Sequence, residues 1–352
     1  MSINEQKLNE FLEHAVYDLA AGYGGVMVSL GHKLGLYKAL AGAGRLTSRQ
    51  VADKAGCAER YVREWLNSQA AGGYAVYHHE DGTYELTPEQ ALVLADSDSQ
   101  FFIPNAWNVP ASMWFDEDKT IETFRTGKGL GWDKHDGRLF CGVAAFFRNG
   151  YRANLVQNWL PALDGVVEKL QTGINVADIG CGYGHSTVVM SKAFPNSTFY
   201  GFDYHEESIE EARKIAADEG VSDRVHFSVA AAKDFPDHQY SLICYFDCLH
   251  DMGDPAGAAH HANKVLKADG SVMLVEPFAG DQVQDNINPV GRLYYSASTT
   301  LCCAHSLSEE VGTALGAQAG EEKLANIFRQ AGFNYFNRAA ETPFNLIIQA
   351  RH

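Results

Sequence analysis

The stretch Val176–Ser186, VADIGCGYGHS, places three glycines within five residues directly after an apolar run. Glycine adopts positive φ without strain and lets the backbone approach a ligand closely. A strand, a glycine-rich turn and a helix together bind a nucleotide-like group at the carboxyl end of the strand. The stretch therefore predicts a cofactor site at this glycine turn, with His185 as a neighbour of the cofactor.

The acidic residues around this turn indicate which cofactor it holds. Dinucleotide-binding folds use the spacing G-x-G-x-x-G to admit a pyrophosphate, whereas here the glycines are closer and Asp178 stands two residues before Gly180. A carboxylate at that point repels a pyrophosphate and attracts an ammonium or a sulfonium. The pattern favours S-adenosylmethionine over NAD. Asp203, at the end of the next predicted strand, is expected to accept the ribose hydroxyls, as an acid there also does in NAD enzymes.

Helices and strands alternate from residue 158 to the end of the chain. Strands are predicted at 174–179, 198–203, 225–230, 241–246, 271–276, 334–341 and 344–350. Only Thr342 and Pro343 separate the last two strands, which is too short for a crossover, so these strands are expected to be antiparallel. The predicted fold class for 158–352 is α/β, a doubly wound Rossmann-like sheet with a reversed last strand.

Residues 1–95 predict a winged helix. Helices at 46–56 and 58–71 are followed by a hairpin around Asp81-Gly82, a dipeptide that favours tight turns. In a DNA-binding protein the second helix would read the bases and would carry a basic stripe. This helix instead carries a balanced set of charges: Glu59, Arg60, Arg63 and Glu64. Dimerisation, or service as a wall of the substrate site, is therefore favoured over DNA binding.

Two further segments have less specific patterns. Residues 96–157 are helical and rich in aromatic side chains, which indicates either an interdomain core or a linker that lines the acceptor pocket. The apolar segment Val26–Tyr37 is predicted to be one helix that fits the interface of a homodimer, although packing within the domain would explain it equally well.

Composition restricts the class of partner and the compartment. With 28 basic and 44 acidic residues the formal net charge is -16, which disfavours binding to nucleic acid. The first residues lack the features of a signal peptide, and no apolar run has the length of a membrane span, so we expect a cytoplasmic protein with no membrane partner. The seven cysteines contain no C-x-x-C pair, so neither a metal site nor a redox pair is expected.

Four segments carry a family resemblance: VADIGCGYG (176–184), FYGFD (199–203), VHFSVAAAKDF (225–235) and SLICYFDCLHDM (241–252). They resemble the successive motifs of class I S-adenosylmethionine-dependent methyltransferases. The whole layout resembles the small-molecule O-methyltransferases of plants and antibiotic pathways, and bacterial two-domain methyltransferases of unassigned substrate. The resemblance implies a seven-stranded sheet, S-adenosylmethionine as the cofactor and a small-molecule acceptor.

The same resemblance implies a role for each matching residue at the cofactor. Asp178 would face its amino acid end, and Gly180, Cys181 and Gly182 would pass under the methionine and ribose. The remaining contacts would come from Asp203 at the ribose, Tyr204 at the adenine ring, and Phe246 and Asp247 near the methyl group. Ala231 and Ala232 stand where the family often has an acid for the adenine amino group, so backbone groups, or Lys233 and Asp234, would have to replace it.

The resemblance also implies the catalytic residues. His250 matches the histidine that serves as the general base in plant-type O-methyltransferases, although Met252 replaces the tryptophan of their motif. Glu276 and Glu321 match the acids that orient this histidine. The competing interpretation of His250 is an ordinary loop histidine. Residues 277–318 interrupt the alternation and would cover the acceptor, with Tyr294, Tyr295 and His305 as candidate contacts.

Three functions remain as hypotheses. The first is methyl transfer to a small molecule, with a hydroxyl acceptor favoured and a thiol or an amine left open. The second is a winged-helix regulator that binds S-adenosylmethionine or another nucleotide without catalysis. The third, an NAD-type oxidoreductase, is disfavoured by the glycine spacing and by Asp178.

Overall fold

A computed structural model describes residues 3–352 of the chain. These residues divide into two compact units: one comprises residues up to 111 together with 140–149, and the other comprises 112–139 together with 150–352. The segment 96–157, predicted as a linker, thus contributes to both units. The domain boundaries predicted at 95 and 157 stay predictions.

The first unit is a helical domain with a small hairpin. Its elements are α1 Glu5–Lys33, α2 Leu36–Leu40, α3 Ser48–Ala55, α4 Glu59–Ala71, β1 Val76–His78, β2 Thr83–Glu85 and α5 Pro88–Leu94. Helix α3 begins at a capping box in which Thr47 and Gln50 bind each other's backbone, and it ends at Gly56, which has a φ of 66°. The helix–turn–helix and the antiparallel hairpin confirm the predicted winged helix.

The apolar segment predicted as one helix over Val26–Tyr37 is broken. Helix α1 ends at Lys33, and Gly35, with a φ of 70°, separates it from α2. Val28, Leu36 and Tyr37 lie in the core of the unit, where Tyr37 packs against Trp65. The exposed apolar side chains of α1 lie mainly further towards its N-terminus.

The chain between the hairpin and the sheet is helical. It forms α6 Asn108–Phe115, α7 Glu117–Thr126 and α8 Arg138–Asn154, followed by α9 Val166–Thr172. Short 3-10 turns occur at Pro104–Trp107, Trp132–Lys134 and Leu160–Ala162, and a π turn at Leu155–Trp159.

The second unit is built on a seven-stranded sheet. Its strands are β3 Asn175–Ile179, β4 Thr198–Asp203, β5 Val225–Val229, β6 Tyr240–Phe246, β7 Leu266–Pro277, β8 Tyr335–Glu341 and β9 Asn345–Arg351, in the order β5-β4-β3-β6-β7-β9-β8. The neighbours from β5 to β7 are parallel, whereas β9 is antiparallel to both β7 and β8. The predicted Rossmann-like sheet with a reversed last strand is confirmed.

Helices connect the strands of this sheet and also form the segment before its last two strands. They are α10 His185–Ala193, α11 Glu206–Asp218, α12 Pro255–Val265, α13 Pro289–Thr300, α14 Cys302–Ser308 and α15 Glu321–Gln330, with 3-10 turns at Leu249–Asp251 and Val283–Asn286. Strand β6 is buried along its whole length, as expected for a central parallel strand covered on both faces. Within residues 3–352, none of the helices has the length and apolar character that a membrane span requires.

The register of the sheet gathers the predicted site at one edge. The parallel strands β3, β4, β6 and β7 pair so that their carboxyl ends meet there, with Phe246 opposite Val275. Strand β9 runs the other way, so its first residue, Asn345, lies opposite Pro277 at the same edge. Residues that are far apart in sequence are thereby brought together.

Candidate active site

The glycine turn after β3 needs its glycines for two different reasons. Gly180, Gly182 and Gly184 all have positive φ, of 68°, 51° and 72°. A Cβ at Gly180 would lie 2.9 Å from the Cys248 sulfur, and one at Gly184 would lie 2.3 Å from the Phe227 ring. A Cβ at Gly182 would meet open space. Two of the glycines therefore permit packing, while the third leaves room for a ligand above the backbone.

Asp178 is a buried carboxylate with one unpaired oxygen. Its Oδ2 accepts hydrogen bonds from the hydroxyls of Ser186 at 2.6 Å and Thr187 at 2.5 Å. Its Oδ1 has no hydrogen-bond partner among the residues described. Burial raises the pKa of Asp178 to about 6, since water cannot solvate the charge. An unpaired buried carboxylate oxygen suits a cationic ligand, and the hydroxyls that hold it in place were not anticipated from the sequence.

Asp203, at the end of β4, is bound to the glycine turn. Its Oδ2 accepts from the backbone N–H of Gly182 at 2.9 Å, and its Oδ1 accepts from that of His205 at 2.9 Å. Burial raises the pKa of Asp203, and these hydrogen bonds oppose the rise. A carboxylate has about four lone-pair sites, so Asp203 can still accept a hydrogen bond from a ligand.

Asp247 follows β6 in a strained conformation. Its φ of 52° is unusual for a residue other than glycine, and such strain is common at functional sites. The Asn345 amide donates to Oδ1 at 2.7 Å, whereas Oδ2 is buried without a partner in the described chain. Burial, and then the charge of Glu276, raise the pKa of Asp247 well above its ordinary value. The neighbouring Phe246 ring packs against Tyr151 at 5.3 Å.

His250 and Glu276 form a buried pair at this edge. The Nδ1 of His250 lies 2.6 Å from Oε2 of Glu276, and the other oxygen accepts from the backbone N–H of Leu249 at 3.0 Å. A carboxylate only accepts hydrogen bonds, so Nδ1 carries the hydrogen. The Cys302 thiol contacts the same ring. Burial alone would lower the pKa of His250, but Glu276 and Cys302 more than offset it and raise that pKa well above its ordinary value.

Glu321 does not share this arrangement. It begins α15, and its carboxylate binds the guanidinium of Arg338 on β8, with Nε at 2.8 Å. Burial keeps the pKa of Arg338 down, but its two acidic partners, Glu321 and Glu341, raise it overall. The prediction that Glu321 orients His250 is therefore corrected: the insertion before α15 leaves this acid in a surface ion pair.

The remaining predicted cofactor contacts lie around the turn without a defined role. Cys181 is buried, and its backbone N–H donates to Phe202. His185 is the first residue of α10, and Ala231 and Ala232 are half-buried in the turn after β5. The ring of Tyr204 stacks on that of His305 at 5.5 Å. Their assignment to the cofactor remains a prediction.

The residues at this edge fit S-adenosylmethionine. The unpaired oxygen of Asp178 suits an ammonium, Asp203 has lone pairs left for ribose hydroxyls, and Gly182 leaves space between them. In residues 3–352 no group of three or more potential ligands is arranged to hold a metal ion.

Two parts of the chain match described families. Residues 22–96 match an Rv2258c-like winged HTH domain, and residues 170–332 match a methyltransferase domain. The chain is 32% identical over 121 residues to the uncharacterized methyltransferase YcgJ of Bacillus subtilis. The aligned part makes up 34% of this chain and 47% of that protein. The chain thus spans about half the length, or less, of the curated relatives it matches first.

Solved structures resemble the whole chain in fold. The mitomycin 7-O-methyltransferase MmcR matches with a TM-score of 0.70 at 17% identity, covering 99% of this chain and 98% of that one. Human N-acetylserotonin methyltransferase, solved with S-adenosylmethionine, matches with a TM-score of 0.69 at 16% identity, covering 100% and 99%. Together with the sheet order, these findings show a chain that consists of a winged HTH domain followed by a methyltransferase domain, in the fold of solved S-adenosylmethionine-dependent methyltransferases.

Proposed function

We propose that the protein transfers a methyl group from S-adenosylmethionine to a hydroxyl of a small molecule, with His250 as the general base. The observation that carries the proposal is the buried His250–Glu276 pair at the carboxyl edge of the sheet, beside the glycine turn. Nδ1 of His250 lies 2.6 Å from Oε2 of Glu276. Buried, charge-coupled pairs at such edges are characteristic of catalytic sites. The name of the similar solved mitomycin 7-O-methyltransferase supports an oxygen acceptor.

The roles of the residues follow from what a hydroxyl acceptor requires. S-adenosylmethionine, when bound, supplies an electrophilic methyl group on a sulfonium. Asp178 and Asp203 would hold its two ends, and the protein would mainly align donor and acceptor. Because Glu276 engages Nδ1 of His250, the ring takes the proton of the acceptor at Nε2. Glu276 holds the ring in the tautomer that leaves Nε2 free to accept, and stabilises the imidazolium that results.

A direct test uses S-adenosylmethionine with a labelled methyl group and a library of hydroxylated small molecules. Calorimetric titrations with S-adenosylmethionine, S-adenosylhomocysteine and NAD accompany it. Binding of the first two ligands together with label transfer supports the proposal. Binding without transfer to any compound favours the winged-helix regulator, and binding of NAD alone contradicts the methyltransferase assignment.

Electrostatics of the winged helix support a partner other than DNA. On α4, Arg60 pairs with Glu64 at 2.6 Å and Arg63 pairs with Glu59 at 3.4 Å. These arginines are partly neutralised where a reading helix would contact phosphates. We therefore propose a small molecule as the partner and no nucleic acid. Within the cell, we propose the cytoplasm as its location.

We also propose a homodimer formed through α1. Six large side chains of this helix are exposed at alternating spacings of four and three residues, which is the spacing of a two-helix interface: Leu12, Val16, Leu19, Tyr23, Val26 and Leu30. We call this set the α1 stripe. The winged helix buries its own core elsewhere, through residues such as Val28 and Tyr37. A second copy offers a stripe of the same pattern, so the two helices can cover each other.

Placing a charge in the α1 stripe is expected to weaken the dimer. In Leu19→Glu the carboxylate would have to be buried against the partner helix, so the dimer dissociation constant should rise at least about tenfold. Tyr61→Glu, which changes an exposed aromatic residue on α4, is the matched control and should leave it unchanged. Light scattering across a concentration series measures both variants. A wild-type chain that stays at 38.6 kDa at micromolar concentration contradicts the dimer.

Glu276→Gln is expected to change the pH profile as well as the rate. A histidine base acts in its neutral form, so the activity of the wild type should rise with pH. The midpoint of this rise, the ascending limb of the pH profile, should lie above the ordinary histidine pKa of 6.5. The neutral amide no longer stabilises the imidazolium, and the limb should therefore move to lower pH. Orientation also suffers, so the plateau of kcat/KM should fall roughly tenfold. The groups whose charges act on this ring alongside Glu276 are Asp247, Asp251 and Cys302.

The pH profile distinguishes a positioning role from a purely structural one. A structural defect would lower kcat/KM at every pH without moving the limb. An unshifted limb in Glu276→Gln would contradict the proposed coupling between the two residues.

A further inference from the structure

Two other buried histidines near His250 each have a ring nitrogen without a partner. The side chains of His135 and His305 are only 1% and 6% exposed. Nε2 of His135 and Nδ1 of His305 make no hydrogen bond to any of the residues that the structure describes. Leaving a buried polar atom unpaired is costly, so such atoms in a native protein call for an explanation.

Asp116 determines which nitrogen of His135 carries the hydrogen. Nδ1 lies 3.1 Å from Oδ2 of Asp116, whose carboxylate also accepts from Lys119 at 2.7 Å and from the backbone N–H of Asp136 at 2.8 Å. Because the carboxylate only accepts, Nδ1 of His135 donates to it. Burial lowers the pKa of His135, which keeps the ring neutral. Nε2 is therefore a bare hydrogen-bond acceptor.

His305 has the same acceptor character. Burial lowers the pKa of His305 to about 4, so its ring is also neutral. Nε2 lies 3.6 Å from Glu309, which favours the hydrogen on that nitrogen and leaves Nδ1 as an acceptor. Stacking on Tyr204 with an interplanar angle of 8° fixes the plane of the ring.

Both rings are connected to the base by short structural links. The Trp132 ring lies 6.2 Å from that of His135 and 6.3 Å from that of His305. Its Nε1 donates to Asp251, the residue after His250, at 3.2 Å. On α14, His305 lies three residues after Cys302, whose thiol contacts His250, so the two side chains share a helix face.

We propose that His135 and His305 form a subsite that accepts a hydrogen bond from a second hydroxyl of the acceptor, one that is not methylated. Two acceptor nitrogens without a donor select a group that brings its own hydrogen. A hydroxyl donates its single hydrogen to one of the two nitrogens or between them, whereas an ether donates to neither. A carboxylate would also lack a hydrogen and would be repelled by the acids nearby: Asp116, Asp251 and Glu309. This subsite rests on the proposed function, since it specifies the acceptor of that reaction.

The test measures the affinity of the chain, saturated with S-adenosylhomocysteine, for phenol and for the three dihydroxybenzenes. At least one dihydroxybenzene should bind about tenfold or more tightly than phenol, because only it supplies the second hydrogen. This preference should disappear in His135→Leu and in His305→Leu. His135→Gln, which keeps an acceptor oxygen, should retain part of it. His260→Leu, an exposed histidine on α12, is the matched control and should retain all of it.

Either of two results overturns the subsite. The wild type could bind no dihydroxybenzene more tightly than phenol, or the preference could persist in both leucine variants. Thermal unfolding and S-adenosylhomocysteine affinity show whether each variant is folded. A second readout needs no variant: in histidine-labelled wild type, the ¹⁵N resonance of the acceptor nitrogen of His135 should shift on adding the preferred dihydroxybenzene and not on adding phenol. An unchanged resonance would also contradict the subsite.

Methyl transfer in the same samples separates this inference from the function on which it rests. Transfer to phenol and to the dihydroxybenzenes with equal efficiency, unaffected by the leucine variants, refutes the subsite and leaves the methyltransferase intact. A preference that depends on His135, without transfer to any hydroxylated compound, supports the subsite as a ligand site and refutes hydroxyl methylation.

Discussion

His250→Ala is expected to lower turnover on a hydroxyl acceptor by 10²- to 10⁴-fold, or roughly 3–5 kcal/mol of barrier. The acceptor hydroxyl has to lose a proton as it attacks, and the imidazole held by Glu276 at 2.6 Å is the group placed to take it. Alanine removes the base and also leaves the Glu276 carboxylate without that partner. Steady-state kinetics measure turnover, and calorimetry should find the affinity for S-adenosylhomocysteine little changed.

The control for this variant is His260→Ala, which removes an exposed histidine from α12 and should leave turnover unchanged. A fully active His250→Ala protein on a hydroxyl substrate would refute the base assignment. A mild effect with a thiol or amine acceptor would have a different meaning. Such a nucleophile attacks near neutral pH without a base, so alignment alone would suffice.

Asp203→Ala is expected to weaken cofactor binding by about 1.5–3 kcal/mol, or roughly 10- to 150-fold. The variant removes the charged acceptor proposed for the ribose hydroxyls. It also removes the partner of the Gly182 and His205 backbone N–H groups, both at 2.9 Å, which keep the glycine turn in place. Calorimetric titration with S-adenosylhomocysteine measures the change.

Two further variants separate these contributions. Asp203→Asn keeps one acceptor oxygen and the side-chain shape, so its loss of affinity should be intermediate. Asp218→Ala, which changes an exposed acid at the end of α11, should bind the cofactor like the wild type. Unchanged affinity in Asp203→Ala would mean that the ribose lies elsewhere and that the motif assignment is wrong. Thermal unfolding without ligand measures how much of the effect comes from loss of the hydrogen bonds that keep the glycine turn in place.

The pairing of His250 with Glu276 was predictable from the sequence because His250 follows the end of one buried strand and Glu276 lies at the end of the next. The carboxyl ends of neighbouring parallel strands meet at one edge, so the segments after β6 and at the end of β7 have to be close. Glu321 was misplaced because its position depends on the course of residues 277–318. That insertion has no repeating pattern from which a direction can be derived, and the acid ends beside Arg338.

Strand β7 shows a similar limit in the backbone. The apolar run predicted a strand from 271, whereas the strand begins at Leu266, opposite Tyr240, with a bulge before Leu242. After Leu266, the next three residues, Lys267, Ala268 and Asp269, are exposed, so this part of the strand has no continuous apolar run. Backbone hydrogen bonds to the neighbouring strand β6 extend β7 here, and they do not depend on apolar side chains.

The sequence by itself determined the local structure: the winged helix, the seven strands, the glycine turn and the acids and histidine after the strand ends. Periodicity and turn chemistry act over a few residues and are readable along the chain. Only the tertiary structure decided which side chains meet across long separations. Asp116 binds His135 over 19 residues and Trp132 reaches Asp251 over 119, and no local pattern connects either pair. Which buried histidine nitrogens remain unpaired depends on how all these segments pack together, because the groups around each ring come from different segments of the chain.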